Sequence, residues 1–448
     1  MTSNPSSPSF GKSTVRHEGV GGTRGFTVAP VRQLGATVAH AQGPHILVAR
    51  DLTPADTAAL DLSEIAAFCT SEGGPTSHAV QVAFSLGIPT VVAAGEAILT
   101  IPDGQMCALD GDNGTLFARL DDSDLEAALA HQDKVRARGR ASSPGNVPVT
   151  LTGTIMRASQ AADLRKAGAA GLGLLATELL FLGREHDLTD EDAHYTLYRT
   201  IAHAIGTAPI TLRTLDIGGD KAVPALNLPH EDNSFLGVRG LRLSLRRPDL
   251  FVPQLRAAYR AARDDGANLR LMFPMVTRVE EFQEAARIAR KIQEELAAPA
   301  IPLGVMVEVP SCALTADRFT DHVDFFSIGT NDLSQYLTAT SRTNPALARD
   351  IDALDPAVTR TIWSVTRAGA DHDIPVSVCG GLAGDPVGAV VLASLGATSL
   401  TVALPYLPEV REALSRTTPA TLDTIRQHAL TTGGTAPLRN LVTTLLGL

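Results

Sequence analysis

The sequence predicts an α/β protein built in two parts, a small mixed α/β domain followed by a (β/α)8 barrel. Three observations lead there. From residue 147 onward, eight short apolar segments alternate with amphipathic stretches. Before residue 120, a separate set of strand and helix patterns is closed off by its own turns. Between the two lies a polar, helix-prone stretch broken by Ser143-Pro144-Gly145. A chain of 448 residues has room for two or three domains, and 44% hydrophobic against 19% charged residues supplies globular cores.

The elements follow in order. Residues 1–16 are Ser/Pro-rich, lack the apolar core of a signal peptide and are expected as a disordered tail. Residues 17–34 are β-rich. HILVARDL (45–52) is a strand stopped by Thr53-Pro54, IAAFCT (65–70) a strand, SHAVQVAFSLG (77–87) a helix and IPTVVA (88–93) a strand. QMCALD and GTLFARL are strands flanking the turn Gly111-Asp112-Asn113-Gly114. The first domain is therefore placed at 17–120, and DDSDLEAALAHQDKVRARGRA opens a helical linker over 121–146.

The second domain, 147–448, carries strands at VPVTLTG (147–153), GLGLLA (171–176), PITLRTLD (209–216), LRLMFPM (269–275), IPLGVMVE (301–308), VDFFSIG (323–329), IPVSVCG (374–380) and SLTVAL (399–404). Eight such units favour a closed barrel over an open doubly wound sheet.

A formal net charge of −10, from 38 basic and 48 acidic residues, argues against a general nucleic-acid binder. Any anionic substrate must then be met by local arginines. Cys69, Cys107, Cys312 and Cys379 lie far apart, without metal-ligand spacing, which suits a reducing compartment. No apolar run reaches the roughly 18 residues of a membrane span. A soluble, cytoplasmic protein is expected.

Chemistry is expected where the barrel strands end, since barrel active sites form at that rim. Arg213 and Asp216 end the third strand and Glu308 the fifth; Asn331 and Asp332 follow the sixth, and Cys379 ends the seventh. Arg213, Arg239, Arg242 and Arg342 are candidates to converge on phosphate or carboxylate oxygens, with a plain surface role equally open for Arg242. Glu308 and Asp332, on consecutive strand ends, suit either Mg2+ or an acid/base pair. In GGPTSHAVQVAFSLGIPTVV, Gly73 and Gly74 permit a tight turn and Thr76 or Ser77 caps the helix, which puts His78 in the first turn. The helix dipole there disfavours imidazolium and keeps His78 neutral and nucleophilic, and the same amides can receive an attached phosphoryl group.

The motifs GGPTSH, TLRTLDIGGDK (211–221), NSFLGVRGLRL (233–243), LMFPM, GVMVEVP (304–310), DFFSIGTNDLSQY (324–336) and VCGGLAGD (378–385) together resemble Enzyme I of the bacterial phosphoenolpyruvate:sugar phosphotransferase system, within the wider family that includes pyruvate phosphate dikinase. The resemblance runs from about residue 17 to 420. It implies a phosphohistidine swivelling domain followed by a phosphoenolpyruvate-binding TIM barrel that forms a homodimer. It also implies phosphoryl transfer from phosphoenolpyruvate to His78, Mg2+ on Glu308 and Asp332, substrate contacts from Arg213, Arg239, Asn331, Asp332 and Arg342, and protonation of the enolate by Cys379 to give pyruvate. The small domain would swing over the barrel mouth about a hinge in 121–146.

The sequence departs from the family at three places. Ala176 stands where the family has Arg, Phe84 where it has Arg six residues after the active histidine, and Gly381 where it usually has Glu. GGTRGFTVAPVRQL (21–34) is followed within about ten residues by GPHILVARDL, so the helical subdomain that docks the phosphocarrier HPr has no room between them. These departures imply slow transfer, weak phosphoenolpyruvate binding and a phosphoryl acceptor other than HPr docked in the usual way. The alternatives are a catalytically impaired, phosphoenolpyruvate-binding regulatory paralogue, or a component of a synthase or dikinase.

Overall fold

The structure, a computed structural model, describes residues 8–35, 43–52, 56, 60–61, 64–74, 78–137, 147–181, 183–219, 221, 223, 226–342, 344, 347, 350–431 and 433–447. Contacts divide the chain into two units, Met1–Ala141 with Ala339–Ile351, and Ser142–Thr338 with Asp352–Leu448.

The first unit is an eight-stranded sheet in the order β1-β8-β7-β3-β4-β5-β6-β2. Its strands are β1 (Val15–Glu18), β2 (Val20–Thr23), β3 (Phe26–Gln33), β4 (His45–Ala49), β5 (Ile65–Thr70), β6 (Thr90–Val92), β7 (Met106–Asp110) and β8 (Thr115–Ala118). The central run β3-β4-β5-β6 is parallel, and β4 and β5 are almost wholly buried because both faces are covered. One face packs Ala67 and Cys69 against Ile46, Val48, Val91 and Leu109. The other packs Phe68 and Leu47 against Ala83 and Ile88 at the helix His78–Leu86.

Two expectations change here. The stretch read as the start of a linker is a helix, Asp122–Ala137, that belongs to this sheet. Leu125, Ala128 and Val135 pack on Phe26, Val28 and Phe117, and Gln132 Oε1 accepts from the Val28 N–H at 2.6 Å. Residues 138–146 lie outside the described residues. The expected tail is ordered from Phe10, whose ring meets Phe117 edge-on at 4.7 Å, while Asp124 accepts from the Gly11 N–H and the Thr14 hydroxyl. The polar composition misled because those polar groups are satisfied by caps and turns rather than by water. Residues 1–7 lie outside the described residues.

The second unit is a closed parallel barrel. Its strands are β9 (Thr150–Ile155), β10 (Leu172–Ala176), β11 (Ile210–Arg213), β12 (Leu269–Phe273), β13 (Leu303–Val307), β14 (Phe325–Gly329), β15 (Val376–Cys379) and β16 (Ser399–Ala403). All eight fall on the predicted apolar segments, and β16 closes on β9 with Leu400 opposite Leu151. That closure moves β9 two to three residues later than predicted. In the outer helix Val279–Leu296 the apolar stripe is Phe282, Ala285, Ala286, Ala289 and Ile292, whereas Pro386–Ser394 is buried nearly all round. No helix among the described residues is long and apolar enough to cross a membrane.

One core residue gives the barrel a pH dependence. His194, on the helix Glu191–Ile205, is fully buried, with its ring 4.4 Å from Phe181 and Nε2 3.0 Å from the Leu188 carbonyl. Burial lowers its pKa to about 4. The unfolded chain takes up this proton near pH 6.5 and the folded chain does not, so the contribution is complete above pH 6.5 and is lost as pH falls toward 4. We expect a loss of about 3 kcal/mol across that window. Calorimetric melting at pH 7, 5.5 and 4.5 should show the decline, and His194→Gln should flatten it.

Candidate functional site

Polar side chains converge at the C-terminal ends of β10 to β15. The loop after β11 explains how. Gly218, at φ +95°, lets the chain double back, and it bridges both Lys221 and Arg239; a Cβ on it would lie 2.3 Å from the Val238 carbonyl oxygen. The hairpin so formed sets Lys221 and Arg239 on either side of Asp216. Lys221 Nζ lies 2.6 Å from Asp216 Oδ2, and Arg239 donates to the same carboxylate through Nε at 2.9 Å and Nη2 at 3.0 Å. Burial alone would raise the Asp216 carboxyl, but Arg239, Lys221 and Arg213 hold it well below the usual carboxylate range.

Arg239, 1% exposed, also reaches Asp332 in the first turn of the helix Thr330–Leu337, with Nη1 3.0 Å from Oδ1. Arg213, at the end of β11, donates through Nη2 to Glu178, and its Nη1 lies 3.6 Å from Asp216. Burial opposes its charge, but Glu178, Asp216 and Glu308 keep the guanidinium above its ordinary value. Its buried Nε has no hydrogen-bond partner among the described residues.

Glu308, 1% exposed at the end of β13, accepts from the Met275 N–H at 2.8 Å. Met275 holds a left-handed φ of +57° while presenting that donor. Burial first, then the charges of Asp332 and Asp216, push the Glu308 carboxyl up to about 8, against Arg213 and Arg239. Asn331 Oδ1 accepts from the Gly381 N–H at 3.1 Å and ties the end of β14 to that of β15. Cys379 is buried among Met272, Met306 and Phe325, and its thiol donates to the Ile328 carbonyl at 3.4 Å. Burial pushes it up to about 11, with Arg213 pulling the other way, so it is a thiol at neutral pH.

Of the residues picked from sequence, the barrel brings together Arg213, Asp216, Arg239, Glu308, Asn331, Asp332 and Cys379. Arg242 is not among them: it turns outward to Glu281 at 3.5 Å and Thr277 at 3.3 Å, because its helix begins one residue earlier and points it away from the mouth. Arg342 is buried in Ala339–Ile351, which groups with the first unit. His78 begins the helix His78–Leu86 of that unit, and its side chain lies outside the described residues. Sequence reading missed two members, Glu178 and Lys221. Glu178 lies two residues past the end of β10, and Lys221 closes the GGDK hairpin; both were visible as rim positions but carry no period of their own.

Among the described residues no group of three or more His, Cys, Asp or Glu side chains forms a metal cage. The pair Glu308 and Asp332 nonetheless fits Mg2+, which takes one or two carboxylates and fills the rest of its shell with water and substrate oxygens. The charges agree. Arg213, Lys221 and Arg239 face Glu178, Asp216, Glu308 and Asp332, three cations against four carboxylates. A proton on Glu308 balances them; a divalent cation in its place leaves one positive charge, the sign an anionic substrate needs.

Residues 140–418 match the family described as PEP-utilising enzyme, PEP-binding domain, and residues 41–114 match its mobile domain. The chain is 46% identical to a multiphosphoryl transfer protein of Xanthomonas campestris pv. campestris, covering 86% of this chain and 47% of that protein. It is 39% identical to a phosphoenolpyruvate-protein phosphotransferase of Haloferax volcanii, covering 89% and 72% respectively. With the corresponding Bacillus subtilis protein it shares 36% identity, covering 86% and 70%. The chain spans about half the length of the multiphosphoryl transfer proteins that it matches.

Proposed function

This chain belongs to the PEP-utilising enzyme family, and from that membership we propose that it is an Enzyme I-like phosphotransferase that moves the phosphoryl group of phosphoenolpyruvate to His78 and releases pyruvate. The observation that carries the reading is the buried rim cluster, whose charge becomes positive only when a divalent cation joins it. Mg2+ on Glu308 and Asp332 would neutralise charge on the phosphate during transfer.

Arg213, Arg239, Asn331 and Arg342 bind the phosphate and carboxylate oxygens through charge-assisted hydrogen bonds. Because Arg239 is itself clamped by Asp216, it meets substrate already oriented. The phosphate P–O bond breaks as a P–N bond forms on the His78 imidazole. The enolate left behind takes a proton on carbon from the Cys379 thiol, and the thiolate regains one from water. The domains assigned to these steps are the phosphohistidine domain at 17–120 and the phosphoenolpyruvate-binding barrel at 147–448. Because the helix Asp122–Ala137 packs on the first sheet, it moves with that domain and not as part of a hinge.

The chain passes from β3 to β4 through residues 34–44 alone, which supports an acceptor that does not dock on the family's helical subdomain. We assign the protein to the cytoplasm. Its barrel should form a homodimer, as closed two-fold assembly is the commonest arrangement. Light scattering at micromolar concentration with Mg2+ and phosphoenolpyruvate should give twice the monomer mass.

The test is incubation with phosphoryl-labelled phosphoenolpyruvate, with and without Mg2+. Acid-labile label on wild type but not on His78→Ala, accompanied by pyruvate, is the expected result. Tight phosphoenolpyruvate binding with neither label nor pyruvate would instead support the regulatory reading, which Ala176 favours.

A further inference from the structure

We propose that Gln254, on the helix Pro248–Asp264 outside the barrel, is a positioning residue that holds Arg213 and Glu178 in place through a buried chain of hydrogen bonds ending on the backbone between them. This rests on the reading of the barrel mouth as the phosphoenolpyruvate site. Gln254 is 0% exposed, yet both ends of its amide are used. Its Oε1 accepts from the Leu215 N–H at 2.9 Å, and its Nε2 donates to Thr177 Oγ1 at 2.9 Å and to Tyr198 Oη at 3.1 Å.

The direction of every bond in this chain follows from its ends. The Leu188 carbonyl can only accept, so His194 Nε2 carries the proton and Nδ1 is left as an acceptor, 2.9 Å from Tyr198 Oη. Tyr198 therefore donates to His194 and accepts from Gln254. The second Gln254 proton goes to Thr177 Oγ1, which leaves the Thr177 hydroxyl to donate to the Arg213 carbonyl at 2.8 Å. Each donor has one acceptor, and no alternative arrangement satisfies all of them. The lowered pKa of His194 agrees, since a proton on Nδ1 would leave the Tyr198 hydroxyl proton without its acceptor.

The placement gives this network its consequence. Thr177 immediately precedes Glu178, the partner of Arg213 Nη2, and its hydroxyl closes on the Arg213 backbone across the β10–β11 pair. Leu215 immediately precedes Asp216. One amide thus ties the backbone on both sides of Arg213 and beside both of its carboxylate partners, in a barrel where β10 ends at Ala176 without a long rim side chain. Buried networks that are fully satisfied in this way fix a single geometry.

The test compares Thr177→Val, Thr177→Ser and Gln254→Met. Thr177→Val keeps the shape and loses the hydroxyl; Thr177→Ser keeps the hydroxyl. We expect Gln254→Met and Thr177→Val to raise KM for phosphoenolpyruvate about tenfold with a smaller change in kcat, and Thr177→Ser to keep the wild-type KM. Hydrogen exchange supplies a readout that needs no substrate: the Leu215 amide should exchange about tenfold faster in Gln254→Met, and the Arg213 Nη2 protons, which Glu178 holds, faster in both that variant and Thr177→Val. A wild type inert toward phosphoenolpyruvate would remove the functional reading, and the exchange rates would still decide this one. Unchanged Leu215 and Arg213 exchange in a folded Gln254→Met protein, or a KM equally raised by Thr177→Ser and Thr177→Val, overturns it.

Discussion

An Asp332→Ala protein should fold and release pyruvate from phosphoenolpyruvate at least about 1,000-fold more slowly than wild type, whatever the Mg2+ concentration, a loss of about 4 kcal/mol of transition-state stabilisation. Folding should survive because Arg239 keeps both of its bonds to Asp216, at 2.9 and 3.0 Å, when the bond to Asp332 is lost. The buried guanidinium is therefore not left unpaired, which is what makes removal of one buried ion partner costly elsewhere. The substitution also takes away the largest like charge acting on Glu308, so that carboxyl should titrate lower than about 8. The rate is measured by coupled assay across a Mg2+ series and the fold by melting temperature. Turnover within tenfold of wild type would remove Asp332 from the metal site.

The second large effect is a gain. Ala176→Arg combined with Phe84→Arg should raise the rate of His78 phosphorylation by 100-fold or more, since each charge-assisted contact is worth roughly 1.5 to 3 kcal/mol. Ala176, 4% exposed at the end of β10, lies opposite Arg213 in the ladder, on a rim with three cations and four carboxylates. One more guanidinium there adds to the single positive charge that the cluster carries with a divalent cation bound. Packing it costs about 1–3 kcal/mol of stability, so melting is measured beside rate. Phe84 is half-buried on the helix that His78 begins, six residues further along it. Single-turnover transfer, with each single variant as control, resolves the two contributions. A wild type already as fast as an ordinary Enzyme I, or a double variant no faster than wild type, would mean that other groups supply the missing charge.

Much of this was legible before any coordinates. The period of apolar residues predicted all eight barrel strands, because a strand buried on both faces must be apolar throughout and its length is limited by the barrel's height. The rim residues Arg213, Glu308, Asn331, Asp332 and Cys379 stood out because a polar side chain directly after such a strand has no packing reason to be there.

What the sequence could not settle is who pairs with whom. Glu178 and Lys221 join the cluster because a hairpin and a short 3-10 turn carry them back over the mouth, and loop conformation leaves no period to read. For Arg242 the sequence left a substrate and a surface role equally open; a separation of three residues across a helix start turns Arg239 inward and Arg242 out to Glu281. The helix Asp122–Ala137 reads as polar and solvated because its few apolar contacts are supplemented by Gln132 and Asp124, whose partners lie about a hundred residues away. Gln254 is the clearest case. On sequence it is one polar residue in an amphipathic helix; only the tertiary structure surrounds it with a threonine, a tyrosine and a strand-end amide, because hydrogen-bond partners are set by the packing of distant elements and not by local propensity.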